Sequence, residues 1–181
     1  MENATKALLM AAGVLIGILI LSMGVYLYYS IGGYVSQTRD KIQQQSLDKF
    51  NTQFYNYLAG NNNEFAFQDV VTAANLAYEN NNKYDFPIVK FDSSFCVSNI
   101  TEIESSISGG NDNYVQVVLD ECLIGTNATK KSNVNLEWYV GNSRALSIVL
   151  GNNYKSNYKC TAIESGQESK RVCKLIFKKI N

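Results

Sequence analysis

The sequence has no histidine, a single proline and no net charge, with 16 Lys and Arg balancing 16 Asp and Glu over 181 residues. Each shortage excludes something. Without histidine, the side chain that most often serves as a general base near neutral pH is missing. A zinc site would have to be assembled from Cys96, Cys122, Cys160 and Cys173, which form no CxxC pair. Balanced charge argues against nucleic acid as a partner, because binding phosphates takes an excess of Lys and Arg. No glycine-rich phosphate loop is present, since GxxxG at Gly13 and Gly17 lies inside an apolar run. The acidic neighbours Asp120 and Glu121 fall on a strand-like stretch, where successive side chains point to opposite faces, so they make no carboxylate dyad. Glu102 and Glu104 likewise read as solvated charges. GGNDN at 109–113 lacks the acidic alternation of a calcium loop and reads as a turn. NAT at 3–5, NIT at 99–101 and NAT at 127–129 match a glycosylation acceptor but are frequent by chance. The residues therefore give no catalytic group, no cofactor and no metal: the chain does not read as an enzyme.

What the sequence has in quantity is one long apolar run. KALLMAAGVLIGILILSMGVYLYYS covers residues 6–30, and no charged side chain stands between Lys6 and Arg39. At 1.5 Å per residue, Ala7 to Tyr29 as a helix reaches roughly 34 Å, enough to cross a hydrocarbon core of about 30 Å. The apolar core of a secretory signal is shorter, ~7–15 residues, so the run reads as a retained helix in membrane lipid. Tyr26, Tyr28, Tyr29 and Tyr34 crowd its end, as at a headgroup interface. Lys6 on one side, with Arg39 and Lys41 on the other, does not orient it.

After the run, SQTRDKIQQQSLDKFNTQFYNYLAG places Leu47, Phe50, Phe54, Tyr57 and Leu58 on one helical face. With no proline between the two parts, the expectation is one helix over about 4–58, apolar all round and then amphipathic, with Gly32-Gly33 as a possible break and Gly60 as its stop. FAFQDVVTAANLAYENNN predicts a second amphipathic helix through Phe67, Val70, Val71, Ala74, Ala77 and Tyr78, capped near Asn63 and stopped by Asn80 to Asn82. Beyond Pro87 the pattern turns to strands in FPIVKFD, YVQVVLDECL, VNLEWYVG, ALSIVLG, NYKCTAIE and KRVCKLIFK, with SGGNDN, GTNATKKSN and GNS between them as turns. The fold class expected is α+β: a long N-terminal helix, a second helix and an antiparallel sheet. The organisation expected is a transmembrane or assembly helix over 1–32, its amphipathic continuation over 33–60 and a globular domain over 61–181. The basic cluster Lys170, Arg171, Lys174, Lys178 and Lys179 reads as the wet side of a strand on which Cys173, Leu175 and Phe177 face inward.

An even number of cysteines behind a membrane segment suits two disulfides in an oxidising compartment, with the domain outside the cytoplasm; the alternative is free buried thiols in a cytosolic domain. If NYKCTAIE and KRVCKLIFK form a hairpin centred on Gly166 and Gln167, Cys160 faces Cys173 at bridging distance. Cys96–Cys122 follows by elimination.

On a helix Gly13, Gly17 and Gly24 lie within about 40° of one another and form a groove that another helix can approach closely. Together with the acidic Glu2 near the start, the apolar helix running into an amphipathic one, and the small cysteine-bearing domain, the plan resembles that of type IV pilins and pseudopilins. MENATKALLMAAGVLIGILILS also resembles the start of small pilin-like membrane proteins of Firmicutes. The likeness covers the plan of the chain, with motif-level similarity confined to the first ~60 residues. It implies a subunit held in the membrane by this helix, extracted by a secretion-type assembly ATPase with a platform protein, and packed helix to helix as a filament core. Glu2 would pair with a neighbouring subunit's amine. The sequence departs from the family pattern there, with the glutamate at the second rather than the fifth position and Lys6 without a counterpart.

Two readings follow. The first is a structural, self-associating subunit of a surface filament or pseudopilus. The second is a single-pass anchored binding protein without a filament role, whose interesting surface would be the loops 105–113 and 125–133.

Overall fold

The computed structural model describes residues 2–58, 64–108 and 111–180, with 106–108 described in their backbone only. The chain divides into two units, Met1–Ser46 and Leu47–Asn181.

The first unit is helix throughout its described residues. Helix α1, Glu2–Tyr55, starts there, passes Gly32 and Gly33 without interruption and continues into the second unit. The expected single helix is present, and Gly32-Gly33 does not break it. Every described side chain up to Ser46 is exposed. The helix is long and apolar enough to cross a membrane, and none of its apolar window is buried within the protein, unlike the core helix of a water-soluble domain.

The second unit opens with the last turns of α1. Phe54 is fully buried, Leu47, Phe50 and Tyr57 are half-buried, and Leu58 is exposed. The apolar stripe is therefore real from Leu47 onward, though it loses its last member. Asn51 clamps the turn to the start of the last strand: its amide donates to the Lys170 carbonyl at 2.9 Å and accepts from the Val172 N–H at 2.9 Å. The expected stop at Gly60 lies outside the described residues.

Strand β1, Glu64–Ala66, leads directly into helix α2, Phe67–Lys83. Asp69 accepts from the Ala66 N–H at 3.2 Å, an acidic first-turn residue closing the helix start. Phe67, Val70, Val71, Ala74 and Ala77 are buried, as the periodicity predicts. The helix ends at Lys83, directly after Asn80 to Asn82, and the Tyr84 N–H that closes it bonds the Asn81 and Asn82 carbonyls. Asn80 and Asn81 are buried inside its last turns, where Asn81 accepts from the Val115 N–H at 2.8 Å and donates to the Val115 carbonyl at 2.9 Å. Its amide imitates a neighbouring strand and satisfies both backbone groups of a buried residue.

Helix α3, Ile100–Ser108, follows, in a stretch the sequence left unassigned. Then come β2, Gln116–Ile124, β3, Thr129–Asn135, the short α4, Glu137–Val140, α5, Ser143–Asn153, β4, Asn157–Ser165, and β5, Val172–Lys179. The sheet order is β1-β4-β5-β2-β3. Three of its pairings are antiparallel, but β2 and β5 run parallel, so the sheet is mixed rather than antiparallel.

The cause lies in two stretches that turn out not to be strands. ALSIVLG forms α5, because Asn142 caps it, its side-chain Oδ1 accepting from the Arg144 and Ala145 N–H groups at 3.1 and 3.0 Å. Ala145 and Val149 then share the buried face, an i, i+4 pair that a short apolar run disguises. VNLEWYVG splits, with Val134 and Asn135 ending β3 and Glu137–Val140 winding into α4. The two helices form part of the long crossover that a parallel neighbour requires, and β5 enters beside β2 in the same direction. FPIVKFD makes only the isolated bridge Phe91 to Val97. β3 is instead drawn from TKKSNVN, an edge strand kept polar by Lys130, Lys131 and Ser132.

The disulfides are the main correction: all four cysteines are free thiols. The β4–β5 loop closes on Gly166 and Arg171, whose N–H and carbonyl bond at 2.9 Å, with Lys170 in the left-handed region at φ 55. A side chain at Gly166 would collide with the Asp112 carboxyl, which accepts from the Ser169 N–H at 3.2 Å. The loop is thereby centred two residues beyond the Gly166-Gln167 pair. Cys160 consequently stands opposite Phe177, and Cys173 falls at a bulge between the Glu164–Lys174 and Ser165–Val172 pairs. The Cys160–Cys173 bridge is lost with the shift, and the assignment of Cys96 to Cys122 loses its premise. The cysteine argument for an oxidising compartment goes with them.

Candidate functional site

Two places stand out, one in each unit. The first is the bare surface of α1. Its large apolar side chains from Leu8 to Val35 are 46–77 % exposed, an apolar cylinder with no stripe. Gly13, Gly17 and Gly24 leave open space where a Cβ would be, so a second backbone meets no obstacle there. Ser22, the polar side chain inside the run, donates to the Ile18 carbonyl at 2.5 Å and so needs no water. Glu2 is not left waiting for a neighbour: its carboxylate pairs with Lys6, one turn on, at 3.1 Å. Lys6 has thereby found an intrahelical role.

The second place is a cleft of about 210 Å³ in the globular unit. Its walls include Tyr78, Phe86, Ile88, Tyr114 and Trp138, with Asn81 and Glu137 among its polar groups. Phe86 stands edge-on to Tyr114, ring centres 4.8 Å apart, and the Trp138 indole N–H donates to the Tyr114 hydroxyl at 3.1 Å. A Cβ on Gly141 would overlap the Tyr78 ring, so glycine lets that ring lie against the backbone.

Glu137 is the unusual member. It is 2 % exposed, and Oε2 accepts from the Val117 N–H at 2.9 Å. Among the described residues Oε1 has no hydrogen-bond partner. Burial pushes the carboxyl up to about 8, against the opposing effects of the Val117 and Glu137 backbone N–H groups and the Tyr114 hydroxyl. The Tyr114 hydroxyl is itself raised, by burial first and then by the Glu137 charge. At neutral pH the acid is thus largely protonated and acts as a neutral hydrogen-bonding group unless a cation arrives.

The other sequence candidates disperse. Burial raises the Cys122 thiol to about 12 and the Cys160 thiol to about 11, so both are inert core groups. Cys173 is half-buried, its thiol against the Glu164 carbonyl at 3.5 Å. The basic cluster does not share one face: Lys178 is exposed, whereas Lys174 pairs with Glu164 and the largely covered Lys179 with Glu121, each at 3.6 Å. Val172, rather than Cys173, is the deeply buried residue beside Leu175 and Phe177. Arg171 leaves the cluster altogether and stacks on the Phe50 ring, 3.6 Å from its centre. Gly109 and Gly110 of GGNDN lie outside the described residues, while Asp112 is spent on the β4–β5 loop. Among the described residues no cluster of three or more acidic, histidine or cysteine side chains could hold a metal ion. The 125–133 stretch is largely strand, so the cleft lies in neither expected loop.

Sequence reasoning missed the cleft because its parts come from α2, the 84–91 segment, the approach to β2 and α4. The one visible signal was a lone acid inside LEWYV, an apolar run that read as strand. Compared with known protein families, with curated proteins and with solved structures, the chain matches none.

Proposed function

We propose that the chain is a membrane-anchored structural subunit of pilin type, which self-associates through α1 and carries its α+β unit at the membrane surface or on a filament. The observation that carries this reading is the unbroken helix from Glu2 to Tyr55, wholly exposed and apolar between Leu8 and Val35, then seated in a core by Phe54 and Asn51. Lipid gives apolar helices no hydrophobic reason to associate, so close packing must supply it, and the open glycine face is where packing can be closest. In this reading the domain lies outside the cytoplasm, and the partners are further copies of the chain, membrane lipid and an assembly ATPase with its platform protein. The Glu2–Lys6 pair would have to open before Glu2 met another subunit's amine.

The test is electron microscopy of material sheared from cells making the full chain, labelled with an antibody to the globular unit. Labelled filaments that disappear with Gly17→Leu are expected. Label that remains with the membrane fraction, without filaments, overturns the assembly reading. It would leave the second one, an anchored binding protein, which the Glu137 cleft favours.

A further inference from the structure

The cleft has a chemistry of its own, independent of how α1 is used. Its polar groups are largely committed: both ends of the Asn81 amide hold Val115, the Asn142 oxygen caps α5, and the Trp138 N–H serves Tyr114. Among the described residues the buried acceptor left without a partner there is Glu137 Oε1. Among the described residues no lysine or arginine lines the cleft, and Glu137 is the acid that does. Against the carboxyl, Val117 of β2 presents a backbone N–H and Tyr114 a hydroxyl, and Tyr114 is the titratable neighbour among the described residues. The remaining walls are aromatic and aliphatic, with Ile88 at 83 % exposure offering a further apolar contact. The volume falls below the ~300–1,000 Å³ of drug-sized sites, so the occupant is small. A buried acid with one oxygen left without a donor, inside aromatic walls, is complementary to an organic cation that brings both N–H groups and apolar surface.

We propose that this cleft binds a small organic ammonium ion, its N–H donating to Glu137 Oε1 and its apolar substituent lying against Phe86, Tyr114 and Trp138. Oε1 is sealed from water-sized groups in the empty cleft, so the ammonium reaches it only where the side chains that cover it yield. Because the acid is protonated when the cleft is empty, seating a cation releases one proton from Glu137 to solvent. The ammonium keeps its own protons and charge, the carboxyl becomes a carboxylate beside it, and the carboxyl O–H is the only covalent bond broken.

Trp138 is the chain's single tryptophan, so its fluorescence reports the cleft directly. The full chain in detergent micelles is titrated with benzylamine, and in parallel with benzyl alcohol, which has nearly the same shape and no charge. A saturable signal is expected with the amine, at least about tenfold tighter than with the alcohol, a difference worth about 1.4 kcal/mol. Apparent affinity for the amine should rise about tenfold per pH unit from pH ~6 towards ~8, because Glu137 must first shed its proton, while the alcohol shows no such rise. Glu137→Gln keeps an acceptor for Val117 and should abolish both the preference and the slope. No saturable signal, equal binding of the two probes, or wild-type amine affinity indifferent to pH would overturn the proposal. If Glu137→Gln fails to fold, the wild-type pH slope and the alcohol comparison still decide.

Discussion

The units Met1–Ser46 and Leu47–Asn181 are built from similar apolar residues put to opposite use. In the first, Leu15, Ile18, Leu19 and Ile20 lie 60–66 % exposed or close to it, on a helix apolar on all sides. In the second, Leu119, Leu136, Leu175 and Phe177 are fully buried beneath α2 and the end of α1. Periodicity makes the difference. Where apolar residues recur only on one face, as from Leu47 onward, water can cover the rest and a core forms beneath the stripe. Where they cover the whole circumference, water is the wrong solvent, and lipid or other helices must take its place.

Removing a large side chain from each unit breaks that comparison most sharply. Phe54→Ala takes a wholly buried ring out of the core and should cost about 3–5 kcal/mol in denaturant unfolding of the globular unit. Leu15→Ala, on the exposed stretch, should leave that transition in place. Equal losses from both would mean that the first unit is packed against something in the protein itself.

A second distinction concerns polar groups. Asn51 is where α1 stops being a bare helix and becomes part of a domain, holding Lys170 and Val172 by their backbones. Asn51→Ala leaves a buried N–H and a carbonyl unmatched and should destabilise the unit by about 1–3 kcal/mol. Ser22→Ala, which removes a side chain bonded only to its own helix, should not.

The globular unit also carries a pH signature in Glu137. Glu137 has its pKa raised to about 8 in the folded chain and returns to the ordinary carboxyl range, about 4.3, on unfolding. Between those values the folded state holds a proton that the unfolded state has lost. Stability from this group is therefore fully present below the unfolded pKa and declines as pH rises, by up to about 1.4 kcal/mol per unit, until the folded pKa is passed. Urea unfolding at several pH values should show this decline, and Glu137→Gln should flatten it.

The features legible in the sequence were those with a strong local period. α1 and α2 could be read from side-chain spacing, and β2, β4 and β5 from β-branched runs between turn residues. The failures share one physical cause, which is that short apolar runs fit a helix or a strand equally well until a distant group decides. Asn142 decided ALSIVLG by capping it, and Glu137 helped decide LEWYV by reaching back to the Val117 N–H. The parallel β2–β5 pair followed from those two helices. The register of the last hairpin was set by Asp112, more than fifty residues earlier, against Gly166. Of the candidate site, the glycine face of α1 is a helical repeat and could be seen, whereas the cleft joins residues from four segments and has no linear signature.

That register shift leads to the smallest effect, an expected zero. Two disulfides would constrain the unfolded chain and stabilise the globular unit by about 2–4 kcal/mol each. With Cys160 opposite Phe177 and Cys173 at a bulge, there is no bridge between them to break. Dithiothreitol should therefore leave the unfolding midpoint unchanged, and the chain unfolded without reductant should titrate four thiols. In the native state the half-buried Cys96 and Cys173 should react before Cys122 and Cys160, whose thiols burial holds at about 12 and 11. Fewer than four thiols in the unfolded chain would mean that the hairpin pairs two residues closer to its turn, and would restore the oxidising-compartment argument that the free thiols remove.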